Sequence, residues 1–400
     1  MAEAGGAAKV NLFVLLYALA WAGGSIAYTP LLTILLPVQV AKLAGASAAV
    51  EWLAGITLTG AVAASLGGIA FGYASDLSGN RKVWIAAGLM LSVAVLTVIG
   101  SRGSRLELTV AVVCWQLALN MMLGPLAALA GDVVPDDHKG LLGGLMAFAP
   151  AFGAASGALV TAPWLDGFET RLWMVGLLVA LCVLPVLLVP LPPRVVTPEP
   201  GGAAPAHRRH LAEGNLARMW FARLAVQIAE ACLFSYLYYW MLTLDPAISD
   251  NQAARLFGFA MFAAAPLALF AGRWSDRANR PIAPLQACAV IAALGLLTMS
   301  LAQAIALAVV GYLIFGLSSA AFLALHSAQT LRVLPRADRR ARDLGLFNLA
   351  NTVPSLVMPW LAMGLVPSHG YPALFILLAV LCGGAFLLLR SIARQVRTST

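Results

Sequence analysis

Charge is what this chain has least of. Asp, Glu, Lys and Arg make up 10% of its 400 residues, while apolar residues reach 61%; a water-soluble domain carries about 25% charged residues. The deficit excludes a globular domain with a water-facing surface, and lipid is the solvent that fits. Cysteine is scarce too. Cys114, Cys182, Cys232, Cys288 and Cys382 lie singly inside apolar runs, which excludes the paired spacing of a zinc site or a redox CxxC. They read as small buried hydrophobes, and no metal or cofactor is expected. The net charge of +8 sits in short clusters between apolar runs, with no basic patch interleaved with stacking aromatics, so nucleic acid is not an expected partner. Catalytic motifs are missing as well. There is no HExxH, no Gly-Lys-Ser/Thr phosphate loop and no Ser/His/Asp set, which reads as no enzyme and no ATP-driven pump.

What is present is a series of apolar segments, each near the 20 residues or so that a bilayer core demands. Breaks at charged residues, Pro and Gly give twelve: 12–36, 51–74, 83–101, 107–130, 141–163, 172–191, 218–243, 253–272, 282–302, 304–331, 344–366 and 372–389. The first follows a leader with one Lys and is too long for a signal-peptide core, so it reads as a retained span. No alternating ten-residue pattern recurs, which excludes a membrane barrel. With both termini cytoplasmic, the outer loops hold Lys42, Arg102, Arg105, Arg171 and Arg255, and the rest of the 25 Lys and Arg fall inside. The positive-inside rule therefore places both ends in the cytoplasm, across a cell inner membrane.

The stretch 192–217, rich in Pro, Gly and Ala, is a cytoplasmic linker. It separates a bundle at 1–191 from one at 218–400. The halves echo each other: Gly72-Tyr-Ala-Ser-Asp76 against Gly272-Arg-Trp-Ser-Asp276, Pro135 against Pro335, Pro150 against Pro354. The expected fold is an all-α polytopic membrane protein, with twelve transmembrane helices in two pseudo-symmetric six-helix bundles. Duplicated halves put a solute site between them near mid-membrane.

The most specific motif is Gly72-Tyr-Ala-Ser-Asp76-Leu-Ser-Gly79-Asn-Arg81-Lys82, in the short turn between spans two and three. It resembles the G-x(3)-D-x(2)-G-x-R-K loop of the major facilitator superfamily, whose second, degenerate copy corresponds to Gly272–Arg280. Asp76 at a helix end can accept bonds from a helix N-terminus, and Arg81 can pair with a carboxylate across the loop. A gate is expected there, formed by Asp76, Arg81, Asp132, Asp276 and Arg280.

Two further stretches, Asn120-Met-Met-Leu-Gly124-Pro125 with Asp132, and Leu344 to Pro354 with Asn348 and Asn351, resemble the glycoside–pentoside–hexuronide branch and its sucrose:proton symporters. The branch's intramembrane Asp corresponds to Gln116, its Arg to Ala127 and a Gln to Ser355. Gln cannot titrate, so proton coupling at that position is lost.

Another group must then couple. An ionisable side chain in mid-membrane costs about 2.5–3.5 kcal/mol on insertion scales and normally has a task or a partner. Arg223, Gln227 and Glu230 fall at i, i+4 and i+7 on span seven, one helical stripe. Burial favours the neutral acid and a neighbouring guanidinium the anion, so Glu230 is poised to exchange a proton. The alternative is a static Arg223–Glu230 or Glu230–His326 pair. In the superfamily's architecture spans one, four, seven and ten line the cavity, so His326 could share proton duty or meet solute. Trp21, Ser25 and Tyr28 share one face of span one. With Gln116, Asn120, Gln227, Asn348 and Asn351 they offer the aromatic platform and neutral hydrogen-bonders that suit a polyhydroxylated solute. Tyr236, Tyr238, Tyr239 and Trp240 read as an interfacial belt.

The expected function is secondary active transport of a small, neutral or weakly charged solute, a sugar or glycoside, by a proton-coupled monomer. The alternative is a proton-driven drug or metabolite exporter, suggested by a partial G-P-x-x-G-G match at Ala149-Pro150-Ala-Phe-Gly153-Ala154.

Overall fold

The computed structural model describes residues 2–134, 142, 145–146, 148–191, 206–277, 280, 282–333 and 340–398. Among these every regular element is helical. Lipid offers no partner to a bare N–H or C=O, so each spanning segment must satisfy its backbone internally. The order is α1 (Ala2–Pro30), a π-helical turn (Leu31–Leu35), α2 (Leu36–Ser78), α3 (Arg81–Ile99), α4 (Arg105–Val133), α5 (Ala149–Val160), α6 (Phe168–Leu188), α7 (Ala206–Leu244), α8 (Asp250–Arg277), α9 (Ala283–Ser300), α10 (Ile305–Val333) and α11 (Arg340–Thr398). Pro30 and Pro37 flank the π turn. Each lacks the N–H that the i→i−4 ladder needs, which explains the local change of winding.

Two of these helices are interrupted by a kink at a glycine. Gly45 has φ 70°, ψ 168° inside α2, and Gly370 has φ 72°, ψ 177° inside α11. A residue with a Cβ is strained in that region, so glycine makes the kink. The breaks divide Val10–Gly45 from Ala48–Ser78 and split α11 into two arms. The order of these rods is consistent with the twelve segments expected from the sequence, although the fifth is described as a helix only over Ala149–Val160. Among the described residues eight stretches are long and apolar enough to cross a membrane. Leu66, Ile69, Leu91, Leu181 and Val380 point outward from them, as a lipid-facing surface requires.

The chain groups into two compact units. One comprises Met1–Thr197 and Ser249–Gly258, the other Pro198–Ile248 and Phe259–Thr400. Helix α8 therefore starts with the first unit and continues in the second. In the first unit α1 packs on α5 and α6, while α2 and α3 pack on α4. In the second α7 packs on α11, and α9 on α10 and α11.

Close backbone approach sets both cores. A Cβ at Gly88 of α3 would run into the Met122 amide of α4, and one at Gly295 of α9 would lie 2.5 Å from the Phe315 amide of α10. Without a hydrophobic drive between helices in lipid, such small-residue contacts supply the packing.

The expected aromatic belt on α7 is not there. Tyr236, Tyr239 and Trp240 are buried, and the Trp240 ring meets Phe375 of α11 edge-on at 4.7 Å. The packing of α7 on α11 takes these rings into the core of the second unit, where an edge-to-face pair adds to their burial.

Candidate functional site

The α2–α3 turn is built by its own sequence. Gly79 caps α2 in the left-handed conformation (φ 65°), and Asn80 caps α3, its Oδ1 accepting from the Val83 amide at 3.4 Å. The capping role thus falls to Asn80, while the Asp76 carboxylate is engaged by arginine. Arg81 donates through Nη2 to Asp76 at 2.5 Å, through Nε to Asp132 at 3.0 Å and through Nη1 to the Ser75 hydroxyl at 2.7 Å. The Arg81 side chain is 10% exposed, Asp132 28% and Asp76 57%. One guanidinium therefore ties α2, α3 and the end of α4 together, with bidentate-capable geometry that a lysine could not reproduce.

Two partners here were not singled out from the sequence. Ser75 lies inside the motif. Lys82 donates from Nζ to the Leu187 carbonyl at 2.8 Å and the Val189 carbonyl at 2.5 Å, closing the open carbonyl end of α6. A cation at a helix C-terminus meets both the free carbonyls and the negative end of the dipole.

The expected mirror site at Gly272–Arg280 is described in part. Asp276 lies in α8 with its side chain outside the described residues, and Arg280 is exposed beyond the helix end.

On α1, Trp21 and Tyr28 are half-buried and Ser25 is buried; the Trp21 ring stacks on Tyr17 at 6.4 Å. Tyr17 in turn donates to the Leu126 carbonyl of α4 at 2.9 Å. Gln116 and Asn120 stand on the α4 face that meets α2: Gln116 lies beside Gly60 and Asn120 beside Gly67 and Gly68. Asn120 donates to the Gln116 carbonyl at 2.9 Å, a bond within its own helix. Trp115, one residue before Gln116, is fully buried, and its indole N–H meets no hydrogen-bond partner among the described residues.

The α7 stripe forms as its spacing predicts. Arg223, Gln227 and Glu230 are each half-buried, whereas their preceding neighbours Ala222, Val226 and Ala229 are sealed in the core. Arg223 donates from Nε to Gln227 Oε1 at 3.0 Å. Glu230 lies within electrostatic range of Arg223 and of Tyr312 on α10. No sequence spacing points to Tyr312, because only the packing of α10 on α7 brings it there.

His326 is fully buried, with Nε2 at 2.9 Å from the Met219 carbonyl and its ring 5.6 Å from that of Phe322. Its ring ties α10 to α7. Asn348 and Asn351 lie on α11, with side chains outside the described residues. Among the described residues no group of His, Cys, Asp and Glu is placed to hold a metal.

Residues 219–399 match the family model described as Major Facilitator Superfamily. No curated protein matches the chain. Solved structures resemble nearly all of it. A bacterial homolog of the human lysosomal transporter Spinster, inward-facing and unoccupied, superposes with TM-score 0.73 at 15% identity, over 96% of this chain and 98% of that one. A point mutant of the nucleoside transporter NupG gives 0.66 at 12% identity over 95% and 98%. The human organic anion transporter MFSD10 gives 0.65 at 14% identity over 95% and 99%. The chain thus has the major facilitator fold, and its second half matches that family's sequence pattern.

Proposed function

We propose that this chain is a secondary active transporter, moving a small, neutral or weakly charged solute across the inner membrane by alternating access. Its termini are cytoplasmic and it works as a monomer coupled to protons. A family match on the second half and a fold shared with transporters of diverse solutes support the transport class. The observation that carries the coupling is the half-buried Arg223–Gln227–Glu230 stripe on α7. A carboxyl beside a guanidinium in a low-dielectric span can hold a proton in one state and give it up to water in another. The Arg81 cluster with Asp76 and Asp132 serves as the cytoplasmic gate, joined by Asp276 and Arg280.

A sugar or glycoside is the solute class that suits the neutral groups: Trp21, Tyr28, Gln116, Asn120 and Gln227, with Ser25, His326, Asn348 and Asn351 reached as the helices move. An aromatic ring covers an apolar sugar face while amides take hydroxyls.

A second reading, a proton-driven drug or metabolite exporter, draws on Gly153 of α5. A Cβ there would lie 2.7 Å from Thr29 Oγ1 and 2.9 Å from the Ser25 carbonyl, so the glycine of the partial exporter motif is required for α5 to pack on α1.

A thermal-shift screen of the purified protein against sugars, nucleosides, organic anions and drugs separates the two, because a ligand's stabilisation grows with its concentration relative to Kd. Stabilisation by sugars or glycosides is expected. Stabilisation by amphiphilic drugs alone would replace the sugar reading with the exporter one.

A further inference from the structure

The first unit carries a second ionic device, at the end far from Arg81. Asp132 at the close of α4 bonds to Arg81, whereas Gly100, just before α4 begins, packs against Glu169 of α6, where a Cβ would lie 2.7 Å from Glu169 Cγ. Helix α4 has 29 residues, so the two ends stand about 40 Å apart at 1.5 Å per residue. Arg171, in the first turn of α6, lies at the Gly100 end. Its Nε donates to the Leu165 carbonyl at 3.1 Å, and its Nη1 bonds to Asp250 at the start of α8. The two side chains are 18% and 17% exposed.

Next to the pair, Asn251 donates from Nδ2 to the Ala158 carbonyl at 3.0 Å and to Thr161 Oγ1 at 3.1 Å, at the closing turn of α5. Further along, the backbones run close over small residues. A Cβ at Gly258 would lie 3.5 Å from the Ala154 carbonyl, and one at Gly157 would lie 4.0 Å from Ala254 Cβ. Arginine clamp, asparagine bridge and small-residue seam together explain why Ser249–Gly258 groups with the first unit although the rest of α8 belongs to the second.

We propose that Arg171, Asp250 and Asn251 form a latch that holds the start of α8 on α5 and α6 in one transport state and must part for the other. The inference rests on the alternating-access reading above. Residues 249–258 cannot move with the remainder of their own helix while these bonds hold. The latch stores no solute specificity. It sets the balance between states: a partly buried, hydrogen-bonded ion pair weights the closed side, and removing one partner leaves a charge unpaired on that side. The seam of Ala154, Gly157, Ala254 and Gly258 lets the segment settle back without side-chain rearrangement.

The test measures distances and needs no solute. In a background with the five cysteines replaced, spin labels at Asp166→Cys and Ala247→Cys report on the latch end, and labels at Leu77→Cys and Arg273→Cys report on the other. The protein is held in lipid nanodiscs. Wild type is expected to populate mainly a short distance at the latch end. R171Q and D250N should each raise the long-distance fraction at least threefold, N251A should raise it less, and the exchanged pair R171D/D250R should return toward wild type. If the second label pair shows two populations while R171Q and D250N leave the first unchanged, the latch falls and alternating access stands. If neither pair shows a second population in any variant, alternating access falls, and the latch with it. Isosteric D250N, monodisperse on gel filtration, guards against reading misfolding as opening.

Discussion

Gly88 in the first unit and Gly295 in the second do the same work. Each lets the backbone of a neighbouring helix come within a Cβ's reach, at Met122 in one case and Phe315 in the other. Around that shared device the units place charge differently. The first places it at its two ends, in the Arg81 cluster at the turn, with Asp76, Asp132 and Ser75 all engaged, and in the Arg171–Asp250 pair. The second places Arg223 and Glu230 along α7, half-buried and with amide and phenol neighbours. The scaffold repeats while the chemistry diverges. A charge bonded to several acceptors at the membrane edge suits a strut that breaks and reforms. A carboxyl inside the bilayer suits a task that requires its charge to change.

The sharpest break of that comparison is Glu230→Gln. Gln keeps the shape and hydrogen-bonding capacity but cannot release a proton. Accumulation in vesicles driven by an imposed pH gradient should be abolished, while counterflow exchange of labelled solute continues. If accumulation persists at the wild-type level, the stripe on α7 is structural and the contrast between the units loses its functional half.

The shared half of the comparison is tested by Gly88→Val and Gly295→Val. Both side chains would strike main chain, which cannot step aside as a flexible side chain does, so each should cost about 3 kcal/mol as overpacking. The losses should be similar and visible as lowered thermal-unfolding midpoints in detergent. A large loss at one site with none at the other would show that the two helix pairs are not equivalent.

Arg81→Ala comes next, at about 2 kcal/mol, since Asp132 and Ser75 lose a charged donor. Arg81→Lys should recover less than half of that, because an ammonium cannot serve three acceptors in fixed directions. Full recovery in the lysine variant would reduce the cluster to simple charge pairing.

The rods were legible because lipid enforces them: apolar length and the Gly and Pro breaks are direct physical requirements, and Gly45 and Gly370 fall where the helices kink. The Asp76–Arg81 pairing was legible because the two residues lie within one short turn, whereas Asp132 is carried in by α4. The stripe on α7 was legible because i, i+4, i+7 is a property of one helix. Tyr312 beside Glu230, Lys82 on the end of α6 and Arg171 on Asp250 were not, since each depends on which helices lie side by side. The aromatic belt failed for the same reason: position along α7 says how deep Tyr239 and Trp240 lie, and only the packing on α11 says which way they face.

Asp76→Asn should give the smallest change in stability and still sharpen the comparison. Asp76 is 57% exposed, and exposed ion pairs contribute about 0–1 kcal/mol, so its loss should scarcely move the unfolding midpoint. The same pair nonetheless closes Arg81 onto α2, and a weaker clamp changes how readily the turn releases. Transport should slow severalfold with the apparent affinity unchanged, because none of the candidate solute contacts is touched. A large shift in affinity would place Asp76 in solute binding. A large fall in the unfolding midpoint would make the cluster a fixed brace, and the two units would then differ only in that the second alone carries moving charge.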